Sequence, residues 1–407
     1  MKRAFSNFLV VVGLLGTFYS EAHAANEKDP VLPGIDVLQS QNFATLQSKQ
    51  VGLITNQTGV NVHGQSTADL FAKAPNLKLI ALFSPEHGIR GTREHGEAVG
   101  DAIDPKLHLP VYSLYGTAQR PAPEMLNSID VLVFDMQDVG ARFYTYLTTM
   151  GMAMEEAAGR SIGFVVLDRP NPAGGAVVEG QVLDSRIHHF TAYYQIPVRH
   201  GFTAGELAKW YKETHNLNVE LTVIPIKNWK RDELWTDTGL RFIPPSPNIR
   251  NPTAAVLYSG VGMFEATNVS VGRGADFPFE LLGAPWISGE ALAKRLNELA
   301  LPGLKFTPVL FTPSSDAYQG QLCSGVRIGV TDTKAVRPVD LFVQVSCLFR
   351  ELWPKDFQPR WEEVARVTGS QDFEHLYIEN KPAAEILAVF HKSADEFVKT
   401  RQPYLLY

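Results

Sequence analysis

Glu86 and His87 stand side by side in Ser84-Pro85-Glu86-His87-Gly88-Ile89-Arg90-Gly91, directly after the apolar run LKLIALF. A carboxyl group set against apolar walls keeps its proton to higher pH and can donate it. An adjacent imidazole can share that role or place a substrate hydroxyl. The plainer alternative is that Glu86 caps a backbone amide. A second polar cluster follows VLVFD and holds Asp135, Gln137, Asp138 and Arg142, with Gly140 letting the chain turn sharply. Arg142 is expected to open a helix, where its charge opposes the dipole, so it calls for a partner: Asp138, Asp135 or a bound anion. A fold-stabilising Asp–Arg pair explains the same residues. After GFVVL comes Asp168-Arg169-Pro170-Asn171-Pro172, stiffened by its prolines and running on to Glu179; Asp168 and Glu179 are further acid candidates, with a structural role equally open. A fourth stretch, GMFEATNVSVGRGADFPFE, sets Glu265, Thr267, Asn268, Ser270 and Arg273 among glycines. Its amide and hydroxyl groups suit sugar hydroxyls or an acetamido group, and Gly272-Arg273-Gly274 can bind an anion through backbone N–H groups. Asn56-Gln57-Thr58 follows VGLIT, and Gly116-Thr117 follows VYSLY. Phe143, Tyr144, Tyr146, Tyr193 and Tyr194 lie beside these loops and serve as sugar platforms or as core.

Short apolar strands precede each of the first-half clusters, and helical spacing recurs between them. The pattern predicts helices over 67–74, 143–159 and 203–215, the last opening with the capping box Thr203 to Glu206. Strands alternating with helices predict an α/β fold, a Rossmann-like doubly wound parallel sheet. In such a sheet the polar loops leave one carboxyl edge and converge on one crevice. RFIPPSPNIRNP at 241–252 carries four prolines, is read as unable to sit inside a sheet or a helix, and is taken as the connection between two domains. Beyond it, helices are predicted over 288–300, 338–352 and 382–401 and strands over 305–311 and 325–330, forming a smaller α/β domain. The division is 1–24 signal peptide, 25–49 lead-in, 50–250 Rossmann-like catalytic domain and 251–407 smaller C-terminal domain.

The chain of 407 residues is long enough for two cores, and its 45% apolar content is that of a globular protein. A formal charge of −6 argues against nucleic acid as partner. Lys2 and Arg3, an apolar run over 8–18 and Ala22-His23-Ala24 form a secretory signal, with cleavage expected after Ala24. No lipid-attachment cysteine follows and no later segment is apolar enough to span a bilayer, so the mature chain is expected not to insert in the membrane, in the periplasm rather than the medium. Cys323 and Cys347 are as consistent with two buried thiols as with a bridge. No H-E-x-x-H, C-x-x-C or G-x-S-x-G occurs, no G-x-G-x-x-G follows the first strand, and Gly272-Arg273-Gly274 lacks the P-loop lysine. His63, His87 and His95 are too loosely spaced for a metal site, and His188-His189 reads as a surface turn. Neither a metal nor a cofactor is expected.

Taken together, GLITNQTGV, LFSPEHGIRG, FDMQDVGARFYTY, LDRPNPAGG with VEG, and EATNVSVGRGADFPFE resemble the bacterial exo-β-N-acetylmuramidases of the NamZ type, in the same order over residues 50 to 280. The resemblance implies a Rossmann-like domain beside a smaller α/β domain, with the active site in the cleft between them. It implies a glycosidase that releases N-acetylmuramic acid from the non-reducing end of peptidoglycan fragments. Glu86 in SPEHG becomes the leading catalytic acid, with His87 and Asp138 as further catalytic candidates. Asn56, Arg90, Asp135, Gln137, Arg142, Tyr144, Asp168, Arg169, Glu179, Glu265, Asn268 and Arg273 become candidates for binding muramyl saccharides. Glycoside hydrolysis needs an acid for the leaving oxygen and a second group that attacks or activates water, a role a 2-acetamido sugar can fill itself. The lactyl carboxylate of muramic acid calls for a cation, and Arg90, Arg142, Arg169, Arg250 and Arg273 are all open for it. The rival class is an exported two-domain sugar- or anion-binding protein without catalysis; an amidase or esterase would need a nucleophilic serine or a metal that no motif supplies.

Overall fold

The computed structural model describes residues 29–94, 96–97 and 100–407. The expected secretory signal and cleavage point lie outside the described residues, as does His95. The first half runs α1 (Gly34–Ser40), β1 (Gln50–Thr55), α2 (Thr67–Lys73), β2 (Lys78–Ser84), β3 (Ala102–Ile103), β4 (Pro110–Ser113), β5 (Val131–Asp135), α3 (Thr145–Ala158), β6 (Gly163–Leu167), α4 (Ala204–Thr214) and β7 (Leu221–Ile224). Among the described residues these strands form one seven-stranded sheet in the order β3-β4-β2-β1-β5-β6-β7. All neighbours are parallel except β3 against β4.

The strands are continuous apolar runs because both faces are covered. All five residues of β5 are buried. Its alternate residues Leu132 and Phe134 pack with Met150 and Met154 of α3 and Leu207 of α4. Val131 and Val133 face the other way, toward Ile35 and Leu38 of α1 and Phe71 of α2. The capping box of α4 forms as the sequence predicts: Thr203 Oγ1 accepts from the Glu206 amide, and the Glu206 carboxylate accepts from the Thr203 amide. Residues 25–49 are more than a lead-in over their described part. Helix α1 covers one face of the sheet, and the Gly34 amide donates to the Asp168 carbonyl at 2.8 Å. The GIDVL stretch is too short for its spacing to announce a helix; burial against the sheet decides it.

The second half runs α5 (Pro252–Val261), β8 (Leu281–Ala284), α6 (Gly289–Glu298), β9 (Leu304–Phe311), β10 (Cys323–Val330), α7 (Pro338–Leu352), α8 (Trp361–Thr368), α9 (Asp372–Ile378) and α10 (Ala383–Thr400). Its sheet is antiparallel, in the order β8-β10-β9. Helices α5, α8 and α9 are additions to the sequence reading. Pro252, taken there as a helix breaker, is the first residue of α5, where a missing N–H forfeits no bond, and Asn251 caps that helix by accepting from the Ala254 amide. The proline-rich connection is itself anchored to the first half. Gln57 Nε2 donates to the Pro244 carbonyl at 2.9 Å and Tyr146 Oη to the Pro245 carbonyl at 2.5 Å. Cys323 and Cys347 are both free thiols. Burial pushes the Cys323 thiol up to about 11.

Candidate active site

The turn after β2 aims Glu86. His87 and Gly88 adopt consecutive left-handed conformations, with φ of 69° and 75°. Such a conformation at a non-glycine residue is strained, on the order of 1 kcal/mol or more, and persists where the surroundings hold it. Here the His87 ring Nδ1 lies 2.7 Å from the Arg93 carbonyl and the Arg93 amide donates back to the His87 carbonyl. Glu86 is 3% exposed. Its Oε2 accepts from Thr145 Oγ1 at 2.7 Å and its Oε1 from the Gly96 amide at 3.3 Å. Thr145 is the first residue of α3, so the positive end of that helix faces the carboxyl group. The Tyr115 phenol also reaches Glu86; burial and the carboxylate beside it hold that phenol well above its ordinary range.

Aromatic rings continue the surface from β5 into the second half. Tyr144 packs edge-on against Tyr258 with centroids 5.7 Å apart, Phe143 lies 5.2 Å from Tyr258, and Tyr258 meets Phe279 at 4.8 Å. Just after α5, a 3₁₀ turn at Gly262–Ala266 presents Glu265, which is ion-paired to Arg273. Arg273 also lies 3.8 Å from Asp316 and its guanidinium sits 5.1 Å from the Phe279 ring centre. Burial opposes its charge, but Glu265 outweighs that and holds Arg273 above its ordinary range.

These groups line one cavity of about 250 Å³. Glu86, His87, Tyr144 and Thr145 come from the first half, Tyr258, Glu265, Arg273 and Phe279 from the second, and Glu363, Arg366 and Val367 from α8 close another side. A groove of about 810 Å³ elsewhere is lined by Thr58, Asn61, Gln137, Arg169, Trp235 and Arg241. It is larger, but it lacks both Glu86 and Glu265, so the smaller cavity is the one where three carboxyl groups, two imidazoles and aromatic rings converge.

Of the residues singled out in the sequence, Glu86, His87, Phe143, Tyr144, Glu265 and Arg273 meet there, with His189 beside them. The other candidate site residues are placed elsewhere. Asn56 shapes its own loop by accepting from the Thr58 amide and hydroxyl. Arg90, largely exposed, pairs with Asp104 at 3.2 Å. Asp135 is fully buried, accepting from Thr67 at 2.5 Å and pairing with Arg169 at 2.6 Å, while Arg169 also donates to the Val60 carbonyl. Gln137 donates to the carbonyls of Asp138 and Pro170. Asp138 accepts from the Gly140 amide at 2.6 Å and stands 3.8 Å from His200; burial raises its carboxyl to about 7. Burial also pushes His200 down to about 3, so the imidazole is neutral near neutral pH. Asp168 holds the start of α4 through Thr203 Oγ1 and the Gly205 amide and also accepts from Tyr407; burial raises it to about 6. Glu179 forms a buried pair with Arg199 at 2.7 Å and accepts from the Val339 amide at the start of α7. Asn268 bridges to the Asp356 carbonyl and the Gln358 amide.

Arg142 departs furthest from expectation. It precedes α3 and pairs with neither Asp135 nor Asp138. It donates to the carbonyls of Gln181, Ile196, Arg366 and Val367. Carbonyl dipoles, two of them at the end of α8, take the bonds of its two terminal nitrogens without a counter-charge, while its Nε is buried without a partner among the described residues and burial pushes the group down to about 9. His189 corrects another reading: it does form a turn with Ala192, yet it also lines the cavity. Thr145, Tyr258 and Phe279 were passed over although the first and last lie within or beside quoted motifs. Arg366, in the plain amphipathic stretch WEEVARVT, carried no signal at all.

The chain matches the family model for the N-terminal part of exo-β-N-acetylmuramidase NamZ over residues 51–253 and that for its C-terminal part over residues 256–407. It is 41% identical to the peptidoglycan β-N-acetylmuramidase NamZ of Bacillus subtilis (strain 168), over the whole of both chains. Two crystal structures of DUF1343 family proteins from Bacteroides fragilis NCTC 9343 share the fold. One is 38% identical with a TM-score of 0.85, the other 30% identical with a TM-score of 0.74, and each comparison covers 93% of this chain and 99% of the other.

Proposed function

Because this chain belongs to the NamZ family of exo-β-N-acetylmuramidases, we propose that it hydrolyses the β-glycosidic bond of N-acetylmuramic acid at the non-reducing end of peptidoglycan fragments, with Glu86 as the proton donor. The observation that carries this reading is the buried Glu86 carboxyl in a cavity that also holds Glu265. Glu86 gives its proton to the leaving glycosidic oxygen as the C1–O bond breaks, and the other sugar departs as an alcohol. Water supplies hydroxide to C1, and its remaining proton restores the acid. Glu265, kept in place by Arg273, is assigned to the attacking side, where it activates the water or orients the acetamido oxygen. Tyr144 and Tyr258 offer faces for the sugar ring. A cavity of about 250 Å³ is below the roughly 300–1,000 Å³ of sites for drug-sized ligands, which suits one terminal sugar and supports exo action.

Turnover of 4-nitrophenyl β-N-acetylmuramide and release of free N-acetylmuramic acid from a muramyl disaccharide test the activity. Saturable binding without turnover would replace it by the non-catalytic binding reading, and internal fragments from intact glycan would remove the exo assignment. Export to the periplasm is part of the proposal, supported by the Lys2/Arg3, apolar and Ala22-His23-Ala24 sequence. Among the described residues no helix is long and apolar enough to cross a membrane. The secreted protein is expected to begin at Ala25, and an N-terminal sequence starting at Met1 in the periplasmic fraction would defeat that part.

A further inference from the structure

The cavity has one cationic wall whose group the sequence never suggested. The terminal sugar brings a carboxylate into a cavity already lined by Glu86, Glu265 and Glu363, so an unopposed acid there would be repelled. Among the arginines considered from sequence, Arg90, Arg142 and Arg169 are held outside the cavity by Asp104, by backbone carbonyls and by Asp135. Arg250 donates to the carbonyls of Pro247 and Ala275 and is not among the lining residues. Arg273 does line the cavity but is bound by Glu265 with Asp316 beside it.

Arg366 differs in each respect. It lines the cavity, and its ion pair is with Glu362 one turn earlier on α8, a side chain 83% exposed. A pair of that kind contributes little and is readily exchanged for a ligand carboxylate. Its backbone is nonetheless fixed, because Arg142 donates to the carbonyls of both Arg366 and Val367. A guanidinium that is loosely paired at its tip and anchored at its root loses little freedom on binding. His189 shares this wall, and burial together with the Arg366 charge lowers its imidazole pKa, so Arg366 is the standing positive charge of this side.

We infer that Arg366 receives the lactyl carboxylate of the terminal muramic acid, in a bidentate contact that sets the preference for this sugar over N-acetylglucosamine. The inference rests on the muramidase reading above. It also gives Arg142 a positioning role, since that buried residue holds the end of the helix from which Arg366 projects.

The test uses 4-nitrophenyl β-N-acetylmuramide and the same compound with its lactyl carboxylate converted to the neutral amide, with wild type, Arg366→Met, Arg366→Lys and Arg273→Met. Loss of one charge-assisted contact predicts a rise in KM for the acid of about 10- to 100-fold in Arg366→Met. Its kcat is expected to stay near wild type, its KM for the amide to be unchanged, and Arg366→Lys to recover part of the loss. KM does not depend on the amount of folded enzyme, so poor folding cannot imitate this pattern. Retention of the wild-type ratio of acid to amide in Arg366→Met overturns the inference, and loss of that ratio in Arg273→Met alone transfers the role to Arg273. A wild type inert on both compounds defeats the muramidase reading itself, and this inference with it.

Discussion

Replacing Glu86 by glutamine removes one titratable proton and almost nothing else. The side chain keeps its length and shape. The carboxyl group accepts from Thr145 Oγ1 and from the Gly96 amide and is reached by the Tyr115 phenol, and an amide can answer each: its oxygen accepts from Gly96, while its NH₂ donates to a hydroxyl, which turns to accept. The exchange of hydrogen bonds is nearly even, so stability should change by no more than about 1 kcal/mol. Proton donation is worth roughly 10²–10⁴ in rate, or about 3–5 kcal/mol at 1.36 kcal/mol per tenfold. The loss should appear in kcat for a natural muramyl disaccharide, with KM nearly unchanged. A 4-nitrophenolate leaving group needs little protonation, so the chromogenic muramide should lose less. Steady-state kinetics on both substrates, with thermal unfolding of both proteins, decide the matter. Near-normal kcat on the disaccharide refutes the acid role and points to Glu265, the other carboxyl group assigned to the reaction in the cavity. An equal loss on both substrates places Glu86 in the attack rather than in leaving-group protonation.

Arg142→Met should destabilise the protein by about 3 kcal/mol or more, because it removes a guanidinium that donates to the carbonyls of Gln181, Ile196, Arg366 and Val367 in and around a buried site; Arg142→Lys should rescue poorly, having no planar fork, and denaturant titration reads both. Asp138 has a folded-state carboxyl raised to about 7 from 3.8, so the unfolded chain releases this proton first and stability from this group falls as pH rises from about 4 to about 7. Asp138→Asn should flatten that fall and be relatively more stable at pH 8 than at pH 4, as measured by thermal unfolding across pH; a parallel curve removes Asp138 as its source. Exhaustive chelation is expected to leave muramide hydrolysis unchanged, and loss of activity restored by a single added metal would overturn metal independence.

The sheet was legible because its information is local. Runs such as VLVF before Asp135 and GFVVL are continuously apolar, as a strand covered on both faces requires, and they became β5 and β6 within the predicted bounds. Thr203 and Glu206 announced a helix start through groups only three residues apart. The SPEHG turn was likewise readable, since a glycine and a dense polar loop after a buried strand mark a place where chemistry can be mounted. Helix α1 was missed because its seven residues hold together by docking on the sheet.

Which polar groups meet the cavity was a different kind of fact. Asp135, Asp168 and Glu179 have the same residue types as a catalytic acid, yet they are occupied by Arg169, by the start of α4 and by Arg199. Arg142 finds the Val367 carbonyl 225 residues away, and Arg366 reaches the cavity from a helix with no distinguishing motif. The sequence by itself determined the alternation of elements, the polar loops at the strand ends and the family. Only the tertiary structure decided which of those side chains satisfy the backbone and which remain at a cavity, because hydrogen-bond partners and burial are set by packing between segments far apart in the chain.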